Sequence, residues 1–253
     1  MSSEPTATSS LPASRGTRRI LGLEWPAHVT PAERKSLIAG GLGWMLDAMD
    51  VMLYSMVLAA LVVALGMSKK EAGFLNSLTL FASALGGLFF GWVADRIGRT
   101  RALMASILVY SLASFACGLS QSIEQLAVFR FVLGLGMGGE WTTGAALIAE
   151  VWPAEHRGKA LGLMQSAWAI GEMIAACVTL LVLPNFGWRA VFFVGVLPAL
   201  VVLWIRRGVP ESEIWLKRAG RNTVSLRLLW RKDIRGKGLL ATAMNACGMF
   251  GYW

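Results

Sequence analysis

The chain has 253 residues, of which 55% are hydrophobic and only 15% are charged, and it carries a formal net charge of +9. Soluble domains carry roughly 25% charged residues, so this composition, with its apolar residues in long blocks, excludes a disordered chain and fits an ordinary soluble enzyme poorly. The basic excess would suit nucleic acid in a soluble protein, but here Lys and Arg lie between apolar blocks, which makes them a topology signal; the expected partner is a lipid bilayer, and no nucleic acid is expected.

Residues 1–35 are rich in Ser, Thr, Ala, Pro and Arg and contain no apolar core of the signal-peptide kind, so they read as a cytoplasmic tail. Six apolar blocks follow, at 36–65, 72–94, 102–119, 123–151, 160–183 and 190–205. Each is about long enough to cross a hydrocarbon core of roughly 30 Å at about 1.5 Å per residue. Residues 36–205 are therefore predicted to form a six-helix transmembrane bundle. Residues 206–237 read as a basic cytoplasmic linker, and 238–253 as a truncated seventh helix. Twenty of the 24 Lys and Arg fall in the tail, the second and fourth loops and the linker, whereas the alternate loops hold only Lys69, Lys70 and Arg189. The positive-inside rule then places the N-terminus in the cytoplasm. Cys117, Cys177 and Cys247 lie inside apolar blocks, without the spacing of a disulfide framework or a metal site, and are expected to be small buried side chains.

Charge within a bilayer costs several kcal/mol unless it faces protein or water, so each such residue is a candidate functional group. The candidates are Asp47, Asp50, Arg130, Glu140 and Glu172. Asp47 and Asp50 share one face of the first span, roughly 17 and 21 Å from its inner edge. Arg130 on the fourth span and Glu172 on the fifth both come to about 20 Å. One arginine does not neutralise three carboxylates, so at least one acid is expected to hold a proton. That makes Asp47, Asp50 and Glu172 candidate proton-coupling residues, with no other cofactor or metal expected. A plain structural Asp50–Arg130 ion pair is the competing reading. Glu140 lies deeper, in the inner third of the fourth span. Tyr54, one turn after Asp50, and Gln165 and Trp168 could line a binding pocket beside Arg130 and Glu140, or simply pack.

The run from Gly91 through Asp95, Arg96, Gly98 and Arg99 to Arg101 resembles the signature between the second and third helices of the major facilitator superfamily. Arg130 followed by Gly134, Gly136, Gly138 and Gly139 is similar to the family's fourth-helix pattern. Glu150-Val-Trp-Pro153 with Arg157-Gly158, Gly187-Trp188-Arg189 and Pro210-Glu211-Ser212 add matches in register. Together they cover about residues 36–216. Asp47-Ala-Met-Asp50 is similar to the paired aspartates of aromatic-acid and sialic-acid proton symporters, although Ala48 departs from the usual glycine. Gly138-Gly139-Glu140-Trp141 is nearer the metabolite–proton symporters, so the substrate stays open.

The resemblance implies an all-α membrane fold of two six-helix halves, each a three-plus-three inverted repeat, of which this chain would be the N-terminal half, with a C-terminal half still expected. It implies that Gly91, Asp95, Arg96, Gly98, Arg99, Glu150 and Arg157 form a cytoplasmic latch. It also implies a secondary transporter, expected to take up a small organic anion with a proton, in the bacterial inner membrane. An exporter or uniporter, a membrane sensor that no longer transports, and an inert fragment are the alternatives. No Ser/His/Asp constellation, phosphate loop or metal spacing points to an enzyme. His28 and His156 read as surface or loop residues.

Overall fold

The structure, a computed structural model, describes residues 17–20, 23–26, 29–218, 235–236, 238–240, 242–244 and 247. Two short strands, β1 (Thr17–Ile20) and β2 (Leu23–Pro26), pair antiparallel with Thr17 opposite Pro26. Seven helices follow between residues 31 and 218: α1 (Pro31–Leu65), α2 (Lys69–Ile97), α3 (Arg99–Leu119), α4 (Ile123–Val151), α5 (Arg157–Val194), α6 (Pro198–Gly208) and α7 (Glu213–Arg218). The few described residues of 238–253 belong to a separate unit that begins at Arg218; the rest of the predicted seventh helix and most of the linker lie outside the described residues.

The helices overrun the apolar blocks because local capping holds their polar ends. Thr30 accepts the Glu33 amide at 3.2 Å while the Glu33 carboxylate accepts the Thr30 amide at 2.9 Å, a reciprocal cap reinforced by Pro31 in the first turn. Ser68 and Glu71 repeat the device at the start of α2. Gly66 ends α1 in the left-handed region at φ 62°.

The break expected between the fifth and sixth spans falls at Gly187, whose φ of 76° and ψ of 176° are non-helical, just after Pro184, so the stretch 157–194 is two helices meeting there; a further turn at 195–197 precedes α6. Among the described residues, four stretches qualify as membrane spans by length and apolarity: α1, α2, α3 and residues 157–205. α4 is not among them; it carries Arg130, Glu140 and four glycines near its middle.

The principal packing follows the predicted inverted repeat. α2 packs on α4 as α5 packs on α1, and α3 packs closely on α4, whereas α6 touches α1 only lightly. The two principal crossings are built alike. A Cβ on Gly138 of α4 would overlap the Ser83 carbonyl of α2, and one on Gly171 of α5 would overlap the Met45 carbonyl of α1. Small residues let the backbones touch where lipid supplies no hydrophobic drive. The main core joins Leu53 and Tyr54 of α1, Leu103 and Ile107 of α3, Leu133 of α4 and Phe192 of α5. Cys117 is buried in it, but Cys177 and Cys247 are exposed, against expectation; Ile170, Met173 and Leu181 of α5 are exposed as well. His156 is also not a surface residue: the turn before α5 folds it inward to 4% exposure.

Candidate functional site

Two helices, α1 and α4, bring charge together in the bundle interior, and α3 adds a hydroxyl. Asp50 of α1 is fully buried and accepts a hydrogen bond from the Ser114 hydroxyl of α3; its second oxygen, Oδ2, has no hydrogen-bond partner. One turn away on the same face, Asp47 is buried with Oδ1 unpartnered. Arg130 of α4 is 2% exposed and stacks its guanidinium 3.7 Å from the centre of the Tyr54 ring. A desolvated cation–π contact of this kind is worth about 2 kcal/mol or more. The Tyr54 hydroxyl in turn donates to the Ala72 carbonyl of α2 at 3.2 Å, which fixes the ring beneath the cation.

Arg130 and Asp50 do not form an ion pair within 4.0 Å. Each is held by a neutral neighbour, and Arg130 keeps Nε and Nη1 without acceptors. Buried N–H groups left this way cost free energy unless another acceptor reaches them. The arrangement can therefore receive an anion at Arg130 and a proton at Asp50.

The other candidates divide. Glu140 of α4 is fully buried, with both carboxylate oxygens unpartnered, and lies against Gly43 of α1 rather than in an open pocket. Glu172 is not brought into the aspartate–arginine group; it is half-buried on α5 and accepts the Trp168 indole N–H at 2.7 Å. Trp168 lies 4.8 Å, ring to ring, from Trp44, which lies 6.2 Å from Trp141. Gln165 is exposed on the same helix.

The expected latch assembles in part. The Arg99 guanidinium donates to Asp95 at 2.6 Å and, through Nη2 and Nε, to Glu150 of α4 at 2.9 and 3.1 Å. Gly98, at φ 108°, turns the chain from α2 into α3. Gly91 faces Thr142 of α4 at ordinary contact distance. Arg96 is not in the network; it stacks 3.8 Å from the Trp92 ring. Arg157 donates to the Trp152 carbonyl at 3.0 Å.

Sequence reading singled out neither Ser114 nor Tyr110, and named Glu211 only within the Pro210-Glu211-Ser212 match, with no role at the latch. Glu211 is central: its carboxylate accepts the Arg99 amide at 2.8 Å and the Thr100 amide at 3.1 Å. α3 has no side-chain cap of its own, and a helix start without one draws an anion. That vacancy in the capping pattern after Gly98 was the available signal. For Ser114 and Tyr110 it was the polar set Ser106, Tyr110, Ser111 and Ser114, at helical spacing in an apolar span.

A sequence profile described as Major Facilitator Superfamily matches residues 41–253. A protein of Cupriavidus pinatubonensis named "Probable 4-methylmuconolactone transporter" is 40% identical over 76% of this chain and 46% of its own length. The Escherichia coli sialic acid transporter NanX is 34% identical over 82% of this chain and 51% of its own. The chain thus spans about half the length of the curated relatives it matches. Among solved structures, the proton:xylose symporter XylE bound to 6-bromo-6-deoxy-D-glucose superposes with a TM-score of 0.68 at 23% identity, over 75% of this chain and 47% of that one; at that identity the likeness is one of fold.

Proposed function

Since the chain belongs to the Major Facilitator Superfamily, an integral membrane family of transporters, we propose that it forms the N-terminal half of a proton-coupled importer of a small organic carboxylate, working by alternating access in a bacterial inner membrane with its N-terminus in the cytoplasm. The observation that carries this is Arg130: a buried guanidinium with two nitrogens lacking acceptors, beside a buried aspartate that it does not neutralise within ion-pair distance. A substrate carboxylate would take the free N–H groups in the planar, paired geometry that arginine offers. A proton on Asp50 would remove the cost of carrying an uncompensated charge across the low-dielectric interior. Sialic acid, carried by one relative according to its name, is an acid, which agrees with an anion site. Asp47 is the second candidate for the proton. Trp168, Gln165 and Glu172 on α5 are candidate pocket residues away from the charge.

At the Asp95–Arg99–Glu150–Glu211 end the Arg99–Glu150 bridge is part-buried and the Arg99–Asp95 bridge more open; a fully exposed bridge contributes only about 0–1 kcal/mol. A set that breaks and re-forms together still biases two states of nearly equal energy. We assign it the cytoplasmic latch.

Replacing Asp50 with Asn in the protein as its own cell makes it is expected to abolish uphill accumulation while exchange of substrate across the membrane continues. Undiminished uphill uptake would refute the assignment. Arg130→Lys keeps the charge but loses the fork, and arginine and lysine are not interchangeable at a bidentate site. Uptake is expected to fall through a raised Michaelis constant, and a normal constant and rate would remove Arg130 from substrate binding.

A further inference from the structure

The end of the bundle where Glu211 holds the start of α3 also carries a groove that the carboxylate site does not use. The groove has a volume of about 480 Å³ and runs between the start of α1 and the end of α6, two helices that touch only lightly. That volume falls within the roughly 300–1,000 Å³ of small-molecule sites. Lys35 of α1 and Arg207 of α6 line it, together with Thr30, Val209 and Pro210.

Neither cation is neutralised within the protein. Among the described residues no acid forms an ion pair with Lys35 or Arg207 within 4.0 Å. The acids nearest along the chain each serve a backbone amide instead: Glu33 accepts from Thr30 at 2.9 Å and Glu211 from Arg99 at 2.8 Å. Helix dipoles account for one cation only. Arg207 stands at the C-terminal end of α6, where positive charge is favoured, but Lys35 stands early in α1, where it is not.

Next to the cations both helices turn apolar. Leu200, Leu203 and Arg207 are spaced i, i+3 and i+7, so they share one face of α6, and the two leucines are 61% and 56% exposed. On α1, Ile38 follows Lys35 by three residues on the same face and is exposed as well. Trp204, three residues before Arg207, is exposed too, and indole rings favour the membrane–water boundary. A free anion needs the cations alone. Cations that lead onto exposed apolar faces match a charged headgroup with acyl chains.

We propose that this groove binds an anionic phospholipid, with its phosphate between Lys35 and Arg207 and its acyl chains along the exposed faces of α6 and α1. Basic pockets between membrane helices suit such headgroups because each cation near the surface attracts anionic lipid. The bound lipid joins two helices that barely touch, and it does so beside the latch: Pro210 lines the groove, and its carbonyl accepts the Thr100 hydroxyl at 3.2 Å. The inference needs a membrane-embedded bundle, and neither proton coupling nor a carboxylate substrate.

The test titrates the purified full-length protein in detergent with dioleoyl phosphatidylglycerol and counts bound lipid by native mass spectrometry. Dioleoyl phosphatidylcholine, with the same chains and no net charge, and inorganic phosphate are the comparison ligands. Phosphatidylglycerol is expected to bind more tightly than phosphatidylcholine, and Lys35→Ala and Arg207→Ala each to weaken it about fivefold, the effect of one cation near a membrane surface. Arg207→Lys keeps the charge and is expected to bind within about twofold of the parent. The same is expected of Lys217→Ala, which removes a cation of α7 outside the groove. Parent affinity in the Lys35→Ala, Arg207→Ala double variant, an equal loss in Lys217→Ala, or equal binding of phosphatidylcholine overturns the proposal. Displacement of phosphatidylglycerol by inorganic phosphate at equal concentration would make the groove a site for the free anion, and the lipid assignment would fall.

Discussion

The glycines of α4 and α5 do different work from one position to the next, and single methyl groups separate them. At Gly138 and Gly171 an added Cβ would meet a neighbouring helix's carbonyl oxygen, which has no freedom to turn aside, whereas at Gly162 it would meet nothing within 4 Å. Overpacking costs about 1–3 kcal/mol, and an exposed helical glycine is about 1 kcal/mol less favourable than alanine. Gly138→Ala and Gly171→Ala are therefore expected to lower the unfolding temperature in lipid or detergent, and Gly162→Ala to hold or raise it; equal midpoints for all three would contradict the packing described. At this scale the sequence was informative wherever chemistry contradicts the bilayer. Asp47, Asp50, Arg130 and Glu140 stand out in apolar spans, and all four are buried. What each one touches was not legible. Depth along a helix gives one coordinate of three, so Glu172, at a similar depth, was grouped with the aspartates although it bonds Trp168 on α5.

Among the elements, α3 depends on a residue 112 positions away for its start. Glu211 reaches across to the Arg99 and Thr100 amides, while Thr100 donates its hydroxyl to the Pro210 carbonyl and Trp215 its indole N–H to the Asp95 carbonyl. The segment after α6 is thereby fastened to the turn between α2 and α3. Hydrogen bonds to a charged group contribute about 1.5–3 kcal/mol. Glu211→Ala is expected to loosen this end, so that a cysteine placed at Thr100 reacts faster with a maleimide than in the parent protein. An unchanged labelling rate would mean that Glu211 does not hold α3. Gly98→Ala should act the same way, because its φ of 108° strains any side chain and its Cβ would overlap Glu211 Oε2. Sequence periodicity located the helices but not such links, because the contact joins two ordinary loop stretches. It did place the break between the fifth and sixth spans, between 183 and 190, where Gly187 leaves the helical region.

For the whole molecule, the fold class was readable because the bilayer leaves few choices: apolar blocks of the right length, alternating basic loops and several family motifs in register lead to one superfamily, and residues 41–253 match it. The inverted repeat was not readable as sequence similarity, since only the pattern of helix contacts preserves it. The central claim is that substrate entry carries a proton held by the α1 aspartates. The most direct measurement is the pH of a lightly buffered medium around cells containing the protein, recorded as candidate organic acids are added from stocks already brought to the pH of the medium. Alkalinisation that depends on the acid, and that disappears in Asp50→Asn while that variant still exchanges preloaded acid, is the predicted result. Alkalinisation of equal size in Asp50→Asn, or acid uptake with no proton movement at all, would contradict it.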